Sequence, residues 1–255
     1  MLKKIRIAIL LFVLFLVGAD SYLTQQRLTG WEQPLAVVIY PVNGDGSAAS
    51  SDYIASLHRD DLSGIDRFLE GEGQRYRQKA LPPVLFEVAP EVTQLPPEPP
   101  FGAGTLTIMW WSLQLRYWAW KNDTNAGPPG NIKVFVLYHD PADGEKLDHS
   151  LGLKEGHICL VNAFAGRSLS PLNNVVITHE ILHTLGATDK YDHRTLQPLF
   201  PEGYAEPELV PLLPQKYAEI MGGAIPLSPA ELRMPESLAA TVVGEVTARE
   251  IGWLP

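Results

Sequence analysis

Two histidines separated by one helical turn set the strongest limit on how this chain folds and what it does. Apolar residues in segment 174–185 recur at helical spacing, and Gly186 follows as a residue suited to a left-handed helix end. His179 and His183 are four positions apart, so both imidazoles lie on one helix face and can reach one metal ion. Glu180 lies beside them, where a carboxylate can take a proton from a zinc-bound water.

The alternative interpretation of this pattern is an exposed helix with incidental histidines. Its apolar residues place the helix in the core instead: Ile177, Ile181, Leu182 and Leu185. Unpaired imidazoles and a carboxylate are costly in such surroundings. The pattern therefore favours a zinc site in which Glu180 is the general base.

The residues after the second histidine extend the pattern to His179-Glu-Ile-Leu-His183-Thr-Leu-Gly186-Ala-Thr-Asp189. It resembles the signature of the metzincin zinc peptidases, in which a glycine turns the chain and a third ligand returns to the metal. That ligand is usually histidine, and here Asp189 takes its position, as aspartate does in the small snapalysin-like bacterial proteases. A carboxylate binds zinc at ~2.0–2.2 Å. The resemblance implies that His179, His183 and Asp189 hold Zn²⁺ and that Glu180 is catalytic.

Metzincins also have a methionine-containing turn beneath the metal. Segment 217–223, in which two glycines follow Met221, resembles that turn, although a methionine near glycine otherwise fills a core. Some metzincins place a tyrosine two residues after this methionine, where this chain has Gly223. The resemblance covers residues 174–223. It implies an α+β zincin fold with a mixed twisted sheet, an active-site helix, the methionine turn and a C-terminal helix.

Other side chains compete to be the third ligand. In a thermolysin-like fold the ligand is a glutamate on a later helix, and the candidates are Glu202, Glu206 and Glu208. Prolines interrupt that stretch, which makes it a poor helix. Asp192 and His193 lie in the same loop as Asp189, but the spacing of Asp189 from Gly186 matches the family pattern.

The N-terminus has the layout of an export signal. Three cationic residues precede an apolar run over 7–19, which is shorter than the ~20 residues of a comfortable membrane span. Small residues at its end offer a cleavage site before Asp20, and an uncleaved membrane tether through residues 7–19 is the alternative. Both place the rest of the chain outside the cytoplasm, periplasmic or secreted. A buried helix of a cytosolic domain is disfavoured because the three cations would adjoin its core.

The length of the chain suits one domain. We predict an export signal or anchor over residues 1–19 and one catalytic domain over 20–255, with an upper subdomain to about residue 186 and a lower one over 187–255. Apolar, β-branched runs predict strands over 35–42, 82–88, 132–138 and 157–164. Helical spacing predicts a helix over 51–70, and Thr247–Glu250 predicts a capping box that opens a terminal helix.

Four of the six tryptophans lie in segment 106–120. The segment is predicted to be a buried strand that runs into a helix, or an aromatic wall of a cleft. The buried interpretation is favoured because large aromatics bury well and Arg116 is the only charge among them. His157 opens the strand that in metzincins lies along the cleft, so a role beside the substrate is an open alternative to a core histidine.

Charge and cysteine content exclude several classes of function. The net charge of −9 argues against a nucleic-acid partner, which needs clustered cations. The single cysteine, Cys159, excludes an intramolecular disulfide and a cysteine-rich zinc site, and its apolar neighbours predict that it is buried.

The sequence therefore predicts a zinc-dependent endopeptidase that acts on peptides or proteins, with no prediction of oligomeric state. A non-catalytic zinc-binding envelope protein and a zinc hydrolase of cell-wall peptides remain the alternatives.

Overall fold

The computed structural model describes residues 23–77, 84–143 and 147–254, together with the isolated positions 12 and 82. The predicted export signal or tether over residues 1–19 lies outside these residues, apart from position 12. Within the described ranges, no helix is both long enough and apolar enough to cross a bilayer.

A five-stranded sheet forms the centre of the protein, in the order β2-β1-β3-β5-β4. Its strands are β1 (Leu35–Asn43), β2 (Val84–Val88), β3 (Ile132–His139), β4 (Leu151–Leu153) and β5 (Ile158–Phe164). All neighbouring strands are parallel except β4, which pairs antiparallel with β5 at one edge. The chain is thus a mixed α/β protein with a mostly parallel sheet, which is compatible with the predicted α+β class.

The described α-helices after the helical residues 23–30 are α1 (Ala48–Ala55), α2 (Ser63–Tyr76), α3 (Thr105–Lys121), α4 (Ser170–Leu185) and α5 (Glu245–Glu250). Short 3₁₀ turns occupy Arg59–Leu62, Pro141–Asp143, Arg167–Leu169, Ile220–Gly222 and Leu238–Ala240. The chain after α4 is mostly irregular, with two small ladders that pair β6 (Ala218–Glu219) with β9 (Thr241–Val242) and β7 (Ile225–Ser228) with β8 (Glu231–Arg233).

Both faces of the sheet are covered, and this explains why its strands are continuous apolar runs. Val37 and Ile39 belong to a core that also contains residues of α1, α2 and α4. Val38 and Tyr40 point to the opposite face, where α3 is the only helix of the described residues that contributes to the core. The four predicted strands are confirmed as β1, β2, β3 and β5. They were predictable because apolar runs of this kind are typical of strands buried on both sides. Cys159 is buried as predicted.

The predicted helix over residues 51–70 is wrong as a single element. The helix α1 ends at Ala55, and the hydroxyl of Ser56 donates a hydrogen bond to the carbonyl of Tyr53 at 2.9 Å. His58 then adopts an extended conformation, and its backbone N–H donates to the Asp61 carboxylate at 2.9 Å. These local hydrogen bonds compete with the helix, and the apolar spacing does not reveal them.

The favoured interpretation of the tryptophan-rich segment is also wrong in part. The segment contains no strand and forms the single helix α3. Trp111, Leu115 and Ala119 are buried against the sheet, whereas Trp110 and Trp120 are exposed. A helix presents one face to a sheet, and the opposite face of α3 carries large apolar residues that no described residue covers.

The predicted capping box at Thr247–Glu250 is wrong as well. The helix α5 begins at Glu245 after Gly244, so Thr247 lies inside it. The Thr247 hydroxyl donates to the buried carboxylate of Glu219 at 2.8 Å, and Glu250 binds a distant lysine. Both side chains make long-range contacts instead of capping the helix.

Candidate metal centre

Three side chains meet at the C-terminal part of α4. His179 Nε2 lies 3.1 Å from His183 Nε2, and Asp189 Oδ1 lies 3.2 Å from each of these nitrogens. Ligands held tetrahedrally at the ~2.0–2.1 Å of a zinc bond stand roughly 3.3 Å from one another. Over the described ranges of the chain, this is the only group of acidic, histidine or cysteine residues that is spaced to hold one metal ion.

The other ring nitrogen of each histidine fixes its tautomer. His179 Nδ1 lies 2.9 Å from the Ile220 carbonyl oxygen, and His183 Nδ1 lies 2.9 Å from the Ala187 carbonyl oxygen. A carbonyl only accepts, so in the neutral rings both Nδ1–H groups donate and both Nε2 atoms keep a lone pair. Together with Asp189, these atoms form a cluster of three acceptors that repel one another unless a cation lies between them.

The end of α4 brings Asp189 back towards the histidines. Gly186 has φ 113°, a left-handed conformation that favours glycine. The backbone N–H groups of Gly186 and Ala187 donate to the carbonyls of His183 and Leu182 at 3.0 Å and end the helix. This local geometry is what the sequence predicted from the glycine.

An ion pair between a buried lysine and a partly exposed glutamate holds the loop that carries Asp189. Lys190 is 3% exposed, and its Nζ lies 2.7 Å from Glu250 Oε2 on α5. The same carboxylate accepts hydrogen bonds from the backbone N–H and the hydroxyl of Thr188 at 3.0 and 2.8 Å. Asp189 is therefore flanked on both sides by residues bound to the C-terminal helix. The sequence analysis missed this contact because the partners are far apart in the chain and form no motif.

The turn that contains Met221 contacts the elements that carry all three candidate ligands. Met221 is fully buried, its carbonyl accepts from the Lys190 backbone N–H at 2.8 Å, and the preceding Ile220 carbonyl binds His179. Beneath the turn, the buried Glu219 accepts from the backbone N–H groups of Gly222 and Gly244 at 2.8 and 2.9 Å. Burial raises the pKa of Glu219. The turn is thus held from below by a carboxylate that sequence reasoning did not single out.

Glu180 lies beside the three acceptors with a free oxygen. The residue is 5% exposed, and its buried Oε2 atom has no hydrogen-bond partner among the described residues. Burial raises the pKa of Glu180, and the neighbouring His179 and His183 oppose that shift. A carboxylate in these surroundings holds a proton more readily than one in water.

The edge strand β4 passes close to α4. A Cβ atom at Gly152 would lie 2.7 Å from His183 Cβ, so any side chain at this position would push the strand away from the candidate metal centre. The strand at this edge of the sheet is β4. The strand that follows His157 is β5, and it lies inside the sheet between β3 and β4. The predicted location of the His157 strand along the cleft edge is therefore wrong. His157 is buried, and burial lowers its pKa.

None of the competing third ligands belongs to the group of three acceptors. Asp192 uses its carboxylate to accept from the backbone N–H groups of Arg194 and Thr195 at 2.8 and 3.0 Å. His193 is exposed, with Nε2 3.8 Å from Asp189 Oδ2. The candidates of the thermolysin-like alternative lie in turns and irregular chain, not on a helix: Glu202, Glu206 and Glu208.

Tyr191 is a residue of the site that sequence reasoning missed. Its ring centroid lies 6.4 Å from that of His179. A Cβ atom at Gly223 would lie 3.5 Å from the Tyr191 ring, so this ring occupies the space beside the glycine. Burial and the charges of Asp189 and Glu180 raise its pKa, so the hydroxyl keeps its proton at neutral pH. The position of Tyr191, two residues after Asp189, was the available sequence signal.

In the metal-free protein, we expect His179 to bind a proton, which supplies positive charge between the three acceptors. Burial lowers the pKa of His179, but the hydrogen bond with Asp189 and the charge of Glu180 outweigh it and raise the pKa to about 9. Because the folded pKa exceeds the ordinary value of about 6.5, this histidine stabilises the metal-free protein below pH ~6.5, and the contribution is lost as pH rises towards about 9.

Imidazole NMR titration of chelator-treated protein checks this expectation. The pKa of His179 should be near 9 and should fall in Asp189→Asn, which removes the negative charge that faces the imidazole. His157 is the internal control, since burial holds its pKa below the ordinary value in both proteins. A His179 pKa below 6.5 in the unsubstituted chain would contradict the described geometry.

Comparison with known proteins adds no family assignment. No protein-family model matches the chain. A search of curated proteins finds no match either. The interpretation of the site therefore rests on its own residues and their geometry.

Proposed function

We propose that the chain is a zinc-dependent endopeptidase of the metzincin type, with His179, His183 and Asp189 as metal ligands and Glu180 as general base. One observation carries the proposal. Three acceptor atoms face one another at 3.1–3.2 Å, and Glu180, the neighbour of His179 in the chain, has a buried carboxylate oxygen with no hydrogen-bond partner among the described residues. A merely structural zinc site would have no use for that fourth group, whereas hydrolysis requires a base at this point.

The chemistry is divided between the metal and the chain. When bound, zinc supplies Lewis acidity that polarises a peptide carbonyl and lowers the pKa of water towards ~7. Glu180 accepts the proton of the attacking water on its free carboxylate oxygen and returns it to the leaving amine nitrogen. Its raised pKa favours the first transfer, in which the carboxylate accepts the proton. The Nδ1 hydrogen bonds keep both imidazoles oriented throughout.

The edge strand suits an extended substrate. The outer side of β4 is an edge of the sheet, and β4 runs beside the helix that carries the histidines. A peptide that pairs with this edge would present its backbone carbonyls to the candidate metal centre. Tyr191, whose ring lies beside His179, is our candidate donor of a hydrogen bond to the oxygen of the scissile carbonyl.

Two alternatives use the same ligands. A non-catalytic zinc-binding envelope protein would bind the metal and cut nothing, and Glu180 would be dispensable. A hydrolase of cell-wall peptides would share the chemistry but would need the short cross-linked peptides of the wall as substrate. The open edge of β4 favours an extended polypeptide, since its backbone pairing does not depend on side chains.

Hydrolysis by the full-length chain tests the proposal directly. The chain should be purified, stripped with chelator and reloaded with one equivalent of zinc. It should then be incubated with an unfolded protein and, in parallel, with cell-wall muropeptides. We expect internal cuts in the unfolded protein, which mass spectrometry of the fragments would locate, and no cuts before zinc is restored. Cleavage of muropeptides alone would support the cell-wall alternative. Stoichiometric zinc binding without any cleavage would support the non-catalytic one.

A further inference from the structure

The exposed face of α3 carries an apolar stripe. The stripe consists of Leu106, Met109, Trp110, Leu113, Tyr117 and Trp120, whose exposed fractions lie between 56% and 82%. At 3.6 residues per turn these positions fall within an arc of about 100°. The arc lies opposite Trp111, Leu115 and Ala119, which pack on the sheet. The helix is therefore apolar on its solvent side as well as on its core side.

The stripe is too large to be ordinary surface. Its three aromatic side chains, at about 150–250 Å² each and about two-thirds exposed, contribute on the order of 400 Å². The three aliphatic residues add to this area. The total thus reaches the ~300–600 Å² of the largest apolar patch on a typical monomer, a size that often marks an interaction site, so a partner is expected to cover it.

The composition of α3 favours a lipid surface. The helix has no acidic residue, in a chain that has 29 of them and a net charge of −9. Its only charges are Arg116 and Lys121. Tryptophan and tyrosine are the residues that concentrate where a bilayer meets water, because each combines an apolar ring with a polar group. In the part of the chain that the structure describes, no other helix packs on this face of the sheet, so α3 offers a convex ridge and not a groove for a peptide.

We propose that the apolar stripe of α3 lies in the headgroup region of a zwitterionic lipid bilayer, with Trp110, Tyr117 and Trp120 as its anchors. The sheet separates α3 from α4, so this orientation keeps the candidate metal centre on the side that faces water. The proposal is independent of the peptidase function. Because apolar burial drives the contact, it should depend little on salt.

Fluorescence quenching on vesicles tests the contact in the full-length chain. The chain is reconstituted with phosphatidylcholine whose acyl chains are either plain or brominated, since bromine quenches only tryptophan that reaches the lipid. We expect brominated lipid to remove up to roughly one third of the emission, because two of the six tryptophans lie in the stripe. The loss should be the same at low and high salt.

Two paired variants locate the quenched residues. Trp110→Phe with Trp120→Phe keeps the stripe apolar and should abolish most of the quenching. The matched control, Trp31→Phe with Trp253→Phe, changes two buried tryptophans whose rings pack 5.7 Å apart, and should leave the quenched amount unchanged. Circular dichroism verifies that both pairs fold.

Three results would overturn the proposal. Emission that brominated lipid leaves unchanged would mean that the stripe does not reach the lipid. Quenching that persists in Trp110→Phe with Trp120→Phe would place the contact elsewhere. A dimer that sedimentation detects in detergent, and that Trp110→Gln with Trp120→Gln converts to a monomer, would show that a second copy of the chain covers the stripe.

Discussion

Replacement of Glu180 by glutamine is expected to leave one zinc ion bound per chain and to lower kcat/KM by about 10²- to 10⁴-fold. The amide has nearly the shape of the carboxylate, so the buried site keeps its packing, but it cannot accept a proton from water. Glu180 is also not one of the three residues whose side chains are spaced to hold the metal ion. Metal analysis of the purified variant and peptide hydrolysis measured at the same pH separate the two effects.

Glu202→Gln is the matched control for this prediction. Glu202 is an exposed glutamate that the thermolysin-like alternative would have used as a ligand, and the substitution changes the net charge equally. We expect it to retain both zinc and activity. If Glu180→Gln retained full activity on the same substrate, the general-base assignment would be wrong and the non-catalytic alternative would gain support.

Replacement of Asp189 by alanine is expected to weaken zinc binding by more than about 100-fold. Loss of a group that only supports a ligand costs about 10–100-fold in metal affinity, and loss of a ligand should cost more. The substitution also removes the negative charge that faces His179 and His183. Competition with a fluorescent chelator measures the affinity, and the zinc-dependent rise in melting temperature should shrink in parallel.

Asp192→Ala provides the control for the third ligand. It removes a carboxylate from the same loop, but that carboxylate only accepts backbone N–H groups of its own turn. We expect unchanged zinc affinity and at most a modest loss of stability. The opposite result, with affinity lost in Asp192→Ala and kept in Asp189→Ala, would move the third ligand and remove the geometric basis of the proposed function.

Much of the fold was predictable where the signal is local. Runs such as the one in β1 are apolar on both alternating sets of positions, which is typical of a strand buried on both faces. The end of α4 was predictable because Gly186 alone satisfies a left-handed backbone there. The break between α1 and α2 was not, because it depends on hydrogen bonds of Ser56 and His58 that compete with the helix and leave the apolar spacing intact.

The tryptophan-rich segment shows a different limit. Hydrophobicity indicates that a residue prefers to leave water, but it does not say which surface will cover it. Trp111 and Trp110 are neighbours in the chain, yet one is buried against the sheet and the other is exposed. The direction of each side chain follows from where the helix packs, and only the fold determines that.

The sequence by itself determined the candidate metal centre as a set of residues, because His179, Glu180, His183, Gly186 and Asp189 lie within three turns of chain whose geometry is local. The tertiary structure alone decided what holds them in place. Ile220 is 41 positions from His179, and Glu250 is 60 positions from Lys190. Partners so far apart meet only when the core packs the later chain against α4. Residue spacing carries no record of such contacts, since they form through burial and not through the helical repeat.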